Sequence, residues 1–444
     1  MADTTTGRST KFAFVMITSL FFLWGFVHNL DPILIPHLRK SFRLTVLQAA
    51  LVDSAVYIAY FVMALPAGLL MRRAGYRITI ITGLLLFGGG SLLFLPAADT
   101  HRYAIFLAAL FIIACGLSLL ETAANPYAVL LGRPERATQR LNLAQSFNGL
   151  AQALAPIVGA RVILVQGATD EQLHALSDSA RTAVLAAEAA SVKGPYTVLA
   201  LVIFAIAAVF YFTRLPEPAQ RRSASEPVRT AICRAWRNAT IRRAVIAQFF
   251  YVGAQVCVFS FFILFAATTA GLSHIAAADY LGWGCGIAFV VGRFAGTCAM
   301  KYVTPPRLLL ACALLCAALS AVTMLAGGMT SVLAAVGIAF FMAIMFPTIF
   351  SLGIRDAGAS TEMGSSLLIM SIVGGALLPL AFGFVSDVTH DIRYGYGVPL
   401  ACFLVVAWFA GTVLAGERTA AESAARSAAE SAAPATESLN TGAL

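Results

Sequence analysis

The sequence predicts an all-α membrane protein with twelve transmembrane helices in two six-helix bundles. Three observations carry that expectation. Of 444 residues, 59% are hydrophobic and only 11% are charged, and the mean hydropathy is +0.83, whereas a soluble domain has about 25% charged residues. Apolar runs near the ~20 residues that cross a bilayer recur twelve times along the chain. A stretch rich in arginine and proline, 214–243, separates six of these runs from the other six.

In order, the runs fall near 13–36, 46–71, 78–97, 103–131, 141–166, 195–213, 244–270, 277–300, 308–327, 331–354, 365–386 and 396–416. The segment from Met1 to Lys11 is short and polar, and the first run is too long and too poor in small residues at its end for a cleaved signal peptide, so it is expected to be retained. An even number of spans puts both termini on one side. Of the 30 Lys and Arg residues, 21 fall in the tails and loops of that side and seven on the other, so both termini are expected to be cytoplasmic. The expected organisation is an N-terminal bundle over 1–213, a cytoplasmic linker over 214–243, a C-terminal bundle over 244–416 and a tail over 417–444. The Ala-rich stretch 167–194 reads as a partly helical external loop, and the Ala-Glu-Ser-Ala-Ala repeats of the tail read as frayed helix or disorder. The halves also resemble one another. Gly68-Leu-Leu-Met-Arg72 leaves the second run as Gly296-Thr-Cys-Ala-Met-Lys301 leaves the eighth, and Asn125-Pro126 corresponds to Phe346-Pro347. A six-plus-six duplication is the arrangement of alternating-access transporters, which bind near the midplane between repeats.

Several function classes are excluded. The eight cysteines show no CxxC pair or metal-ligand spacing, so neither a disulfide framework nor a metal site is expected. The net charge of +9 sits in short connections between apolar runs, which reports topology rather than nucleic-acid binding. No Walker A, HExxH or GxSxG element is placed where a site would form around it, so neither an enzyme nor an ATP-driven pump is expected, and no cofactor is called for.

The polar residues inside the runs carry the functional reading. Glu121 and Asn125 are four apart and share a helix face, with Pro126 removing a backbone donor beside them. Gln145, Asn148 and Gln152 form one stripe in the fifth run; Asp53, Tyr57 and Tyr60 form another in the second. The seventh run repeats the spacing with Gln248, Tyr251 and Gln255, followed by Phe259 and Phe262. Amides beside aromatic faces suit a neutral polyol, whose hydroxyls take bidentate partners and whose C–H face stacks on a ring. The plain alternative is interhelical glue, worth about 0.6 kcal/mol per hydrogen bond on average. A charged carboxylate in a membrane interior is costly, so Glu121 is the expected proton carrier, with Asp31 and Asp53 as further candidates. Arg293 reads as a gate or snorkelling arginine. A sugar carrier driven by an ion gradient leads; a facilitative uniporter and a drug:proton antiporter remain as alternatives.

These segments also carry a family likeness. Phe21-Phe-Leu-Trp-Gly25, Leu119-Leu-Glu-Thr-Ala-Ala-Asn-Pro126, Arg140-Leu-Asn-Leu-Ala-Gln-Ser-Phe-Asn148, Ala247-Gln-Phe-Phe-Tyr-Val-Gly-Ala-Gln255, Gly292-Arg-Phe-Ala-Gly-Thr297 and Phe346-Pro-Thr-Ile-Phe-Ser-Leu-Gly353 resemble the fucose:proton symporter branch of the major facilitator superfamily. The resemblance implies the two-bundle fold and proton-coupled uptake of L-fucose or a related hexose such as glucose or galactose. It places the family's central glutamate on Glu121 and its sugar-contacting residues on Gln145, Asn148 and Asn29. It further implies a monomer in the bacterial inner membrane, with a monosaccharide, a proton and lipid as its only partners. One departure stands out. Asn29-Leu-Asp-Pro32 carries its aspartate one position earlier than the family pattern, and one helical step turns a side chain by about 100°. Arg72 likewise stands where many superfamily members have Asp.

Overall fold

The structure, a computed structural model, describes residues 2–28, 46–100, 102–162, 193–213 and 227–432, together with 177, 179, 180 and 184. Apart from short turns and connections, these residues are helical. In chain order the main helices are α1 (Ala2–His28), α2 (Val46–Leu92), α3 (Tyr103–Leu130), α4 (Ala137–Val162), α5 (Lys193–Phe212), α6 (Val228–Arg237), α7 (Ala239–Ser260) and α8 (Phe262–Ala270). They continue with α9 (Ile287–Ala299), α10 (Pro305–Leu325), α11 (Gly328–Met342), α12 (Met345–Ile354), α13 (Thr361–Met370), α14 (Gly374–Thr389) and α15 (Gly397–Ala432). Among the described residues, nine helical stretches are long and apolar enough to cross a membrane. With no water in the hydrocarbon to pair with backbone groups, a helix is the form such apolar runs must take.

The breaks between helices have local causes. Within α2 the helix is broken at Gly75, whose φ of 87° and ψ of 173° are not helical and suit a residue without Cβ, so α2 is two helices that meet at a kink between the predicted runs 46–71 and 78–97. Arg77, two residues on, donates to the carbonyl of Phe210 at the end of α5. Phe261 separates α7 from α8 with φ −95° and ψ −3°, and Ile344 separates α11 from α12 in much the same conformation. Both interruptions lie beside the central cavity described below, where irregular backbone is tolerated because it is buried in protein. The stretch α4 falls outside the nine spans because its amides lower its hydropathy.

Close helix approaches rest on small residues. A Cβ on Gly116 of α3 would stand 2.6 Å from the Gly83 carbonyl of α2, and one on Gly292 of α9 would stand 2.1 Å from the Phe340 carbonyl of α11. In a membrane, such backbone contact and its dispersion attraction replace the hydrophobic drive of soluble proteins. The tail, expected as frayed helix or disorder, is helical as far as Ala432, because its Ala-rich repeats have high helix propensity and extend a helix already nucleated in the bundle. Arg355 holds the start of this extension through a 2.8 Å ion pair with Glu417. Within the linker region, α6 is a short amphipathic helix with Ala231 and Ala235 buried.

Replacing Gly292 with Leu is expected to lower the thermal midpoint in detergent by several degrees, from an overpacking cost of about 1–3 kcal/mol. An unchanged midpoint would mean that α9 and α11 are not held so close.

Candidate functional site

A cavity of about 390 Å³ lies between the N-terminal and C-terminal halves of the chain, within the range of about 300–1,000 Å³ usual for small-molecule sites. Its two walls differ. The N-terminal half contributes Tyr57, Tyr60, Glu121, Gln145, Asn148 and Gln152, with Trp24. The C-terminal half contributes Phe259, Phe289 and Phe346 with aliphatic residues, and places Gln255, Ser260 and Arg293 among them. Polar groups thus face a largely aromatic surface across one space.

Glu121 is 8% exposed, and the Tyr60 hydroxyl donates a hydrogen bond to its carboxylate. Gln145 lies beside it on α4 and donates through Nε2 to Asn125 Oδ1 at 3.1 Å, which fixes the way its amide faces. Asn148 donates to the Phe21 carbonyl of α1 at 3.1 Å, so α1 and α4 are tied at the cavity wall. Phe259 and Phe289 meet edge to face with centroids 5.7 Å apart, a preferred aromatic geometry. Arg293 is 4% exposed. Its Nε donates to the Ala343 carbonyl at 2.9 Å and its Nη1 to the Gln145 carbonyl at 2.8 Å, while its guanidinium lies 4.6 Å from the Phe289 ring centre. It therefore bridges the halves at the cavity floor and does not snorkel to a membrane surface.

Two residues expected at the site stand behind it. Asn125 has no solvent exposure and is not among the cavity-lining residues; its place is to hold Gln145. Tyr251 is likewise fully buried and donates to the Met342 carbonyl at 3.1 Å. Both share a helix face with lining residues, but one turn further along the axis that face meets a packed neighbour. Pro126 sits within α3 and removes the bond that the Thr122 carbonyl would accept from position 126. Asn29 and Asp31 lie outside the described residues, and Asp53 belongs to α2 with its side chain outside the description. Sequence reasoning missed Trp24, Phe289 and Phe346 as lining residues. Nothing in a chain with 31 phenylalanines distinguishes the few that face a cavity.

From Gln145 towards the start of α4, the halves are in direct contact. Thr138 Oγ1 and Ser351 Oγ are 2.7 Å apart, and Asn142 Nδ2 donates to Thr348 Oγ1 at 3.1 Å. Gln139 Nε2 reaches the Thr297 carbonyl at 3.4 Å. On a second seam, Gly68 of α2 packs so closely on α13 that a Cβ there would stand 1.9 Å from Ser366 Oγ. One turn on, Arg72 lies within electrostatic reach of Glu362. The cavity thus has a floor sealed by contacts between the halves.

A multi-pass helical protein with a polar and aromatic cavity between its halves, closed at one end by breakable contacts, is a membrane transporter. The chain belongs to the Major Facilitator Superfamily, whose profile matches residues 13–379. It is 39% identical over 419 residues to the L-fucose-proton symporter of Escherichia coli (strain K12), covering 92% of this chain and 94% of that protein. It is 37% identical over 409 residues to the glucose/galactose transporter of Brucella abortus (strain 2308), covering 92% and 95%. Its structure is similar to the crystal structure of the superfamily transporter FucP in the outward conformation, with a TM-score of 0.86 at 38% identity over 91% of this chain and 99% of that one.

The 2.7 Å approach of Thr138 and Ser351 gives a direct test of the sealed floor. In a background without the exposed Cys233 and Cys298, the pair Thr138→Cys and Ser351→Cys is expected to form a disulfide on mild oxidation. Adding Arg293→Ala is expected to lower the yield at least twofold, read by gel mobility after cleavage in the linker.

Proposed function

We infer that this protein is a monosaccharide:proton symporter of the inner bacterial membrane, working by alternating access. The observation that carries this reading is a single cavity in which a buried carboxylate, Glu121, shares a wall with Gln145, Asn148 and Gln152 and faces Phe259 and Phe289. Hydroxyls on one face of a pyranose take the amides, and its C–H face stacks on the rings. The relatives described as an L-fucose-proton symporter and as a glucose/galactose transporter support the substrate class, with L-fucose, glucose and galactose the sugars to try first.

The helices are read as twelve spans in two bundles of six, over 1–213 and 244–416, with both termini cytoplasmic and the protein acting as a monomer. The sealed end is then the cytoplasmic one, and the likeness to an outward structure supports an outward-facing state. In the proposed cycle a proton on Glu121 and a sugar on the amides together permit the halves to rock. Opening on the inside releases both, and the empty carrier returns. Neutralising the carboxylate removes the cost of moving a charge through a closed, low-dielectric state. The membrane potential supplies about 2.3 kcal/mol per charge for each ~100 mV. Gln145, Asn148, Gln152, Gln255 and Phe259 are the proposed sugar contacts, Asn125 and Tyr251 their supports, and Arg293 the hinge of the floor. Asp31 and Asp53 are retained as candidates to share the proton, and Asn29 as a further sugar contact.

In proteoliposomes, adding the transported sugar is expected to alkalinise the outer medium, recorded with a pH electrode. Uptake without proton movement would mean facilitated diffusion, and export of lipophilic cations without sugar flux would mean a drug antiporter. Glu121→Gln is expected to abolish accumulation against a gradient while keeping at least a third of the sugar exchange rate. Equal loss of both would make Glu121 a sugar ligand alone.

A further inference from the structure

The amides of α4 do not stop at the cavity floor. Asn142, Gln145 and Asn148 follow one another at three-residue spacing, so they run along one strip of the helix, but Asn142 lies on the sealed side of the Arg293 bridge. It is fully buried. Its Nδ2 donates to the Thr138 carbonyl at 3.0 Å and to Thr348 Oγ1 at 3.1 Å. Since the Thr138 carbonyl is an acceptor only, the amide orientation is fixed. Thr348 has a single hydroxyl proton, and that proton goes to the Ile344 carbonyl at 2.6 Å. Thr348 therefore has nothing to offer the other end of the amide, and Asn142 Oδ1 is buried with no hydrogen-bond partner among the described residues.

An amide is a poor choice for a simple tie between two helices. An apolar side chain would leave Thr348 satisfied by the Ile344 carbonyl and bury no unpaired acceptor, and an unpaired buried acceptor is costly. The seam that holds it joins α4 to α12, one of the contacts that must part if the halves rock. When it parts, Asn142 faces the opened space with a free carbonyl and one free N–H, the other N–H staying on the Thr138 carbonyl of its own helix. That is the same donor and acceptor chemistry as the amides above the floor.

We propose that the side-chain amide of Asn142 is the sugar ligand of a second monosaccharide-binding station that exists only in the inward-open state and receives the sugar as it leaves Gln145, Thr348 serving only as its partner in the closed seam. This rests on the sugar-carrier reading above. The station takes a sugar hydroxyl on Oδ1 and returns a hydrogen bond from Nδ2, so the substrate passes from amide to amide along α4. Closing the seam withdraws Nδ2 to Thr348 and removes the station, which favours release over rebinding.

Two variants separate a sugar ligand from a tie. Thr348→Val and Asn142→Ala both remove the Asn142–Thr348 bond and so shift the balance of states alike, but only the second removes the proposed ligand. Half-saturation in counterflow would be measured on each side, in right-side-out and inside-out vesicles, with L-fucose, D-glucose or D-galactose, whichever the unaltered protein exchanges. Relative to Thr348→Val, Asn142→Ala is expected to raise the inner-side value at least fivefold and leave the outer-side value within twofold. Equal values for the two variants on both sides, or equal displacement on the two sides, overturns the proposal. If Asn142→Ala does not accumulate in the membrane, Asn142→Ser keeps a polar group at the position and is expected to show the same one-sided loss. Failure of the unaltered protein to exchange any of the three sugars would overturn the carrier reading instead.

Discussion

Everything at the centre of this protein depends on how one buried arginine is held. Arg293 lies in the membrane interior with 4% exposure, and an unsatisfied guanidinium there costs several kcal/mol. It meets this cost with main-chain carbonyls from both halves, Ala343 and Gln145, and with the Phe289 ring. The Ala343 bond falls where α11 gives way to α12, at a carbonyl left without a helical donor because position 347 is proline, so the arginine fills a vacancy that the sequence creates. The Gln145 bond is to the backbone of the residue whose side chain is turned by Asn125. A single cation therefore joins the cavity floor, the helix interruption and the backbone of a polar wall residue.

The cavity above that floor divides its chemistry by half. Carboxylate and amides come mostly from the N-terminal half, rings from the C-terminal half. The consequence is mechanical as well as chemical: a ligand that needs both walls gains its full contact only when the halves hold it together, so binding favours closure around it. The polar wall is built on α4 and α3, which are fixed to each other by the Gln145–Asn125 pair and to α1 by Asn148. Relative motion is left to the seams between halves.

Much of this was legible from the residues. Hydropathy located the helices, and helical spacing found Gln145, Asn148, Gln152, Gln255 and Phe259 as cavity residues, together with Glu121. The same spacing also drew in Asn125 and Tyr251, which the structure buries behind the wall. Periodicity assigns a residue to a face of its own helix, and says nothing of whether that face meets a cavity or a neighbour at that height. Arg293 shows the complementary limit. Its partners are carbonyls and a ring, and carbonyls carry no sequence signal. For the tail, composition alone leaves helix and disorder open, and the helix already formed before it carries α15 on to Ala432.

The chemistry of the sealed end bears on how such a machine is driven. Its α4–α12 seam is made of neutral pairs, Thr138 with Ser351 and Asn142 with Thr348. Interhelical hydrogen bonds in membranes average about 0.6 kcal/mol each, so a handful of them holds the floor by only ~2 kcal/mol. Moving a two-state equilibrium from 1:99 to 99:1 takes about 5.5 kcal/mol, and an even balance takes half of that. A seam of buried ion pairs would be costlier to part, because each separated charge would need a new partner. Neutral pairs on α4 and α12 separate into groups that water or a sugar satisfies at once. The neutral seam is thus the weakly held part of the floor, and the charged contacts, Arg293 with carbonyls in both halves and Arg72 near Glu362, are the ones that need new partners when the halves part.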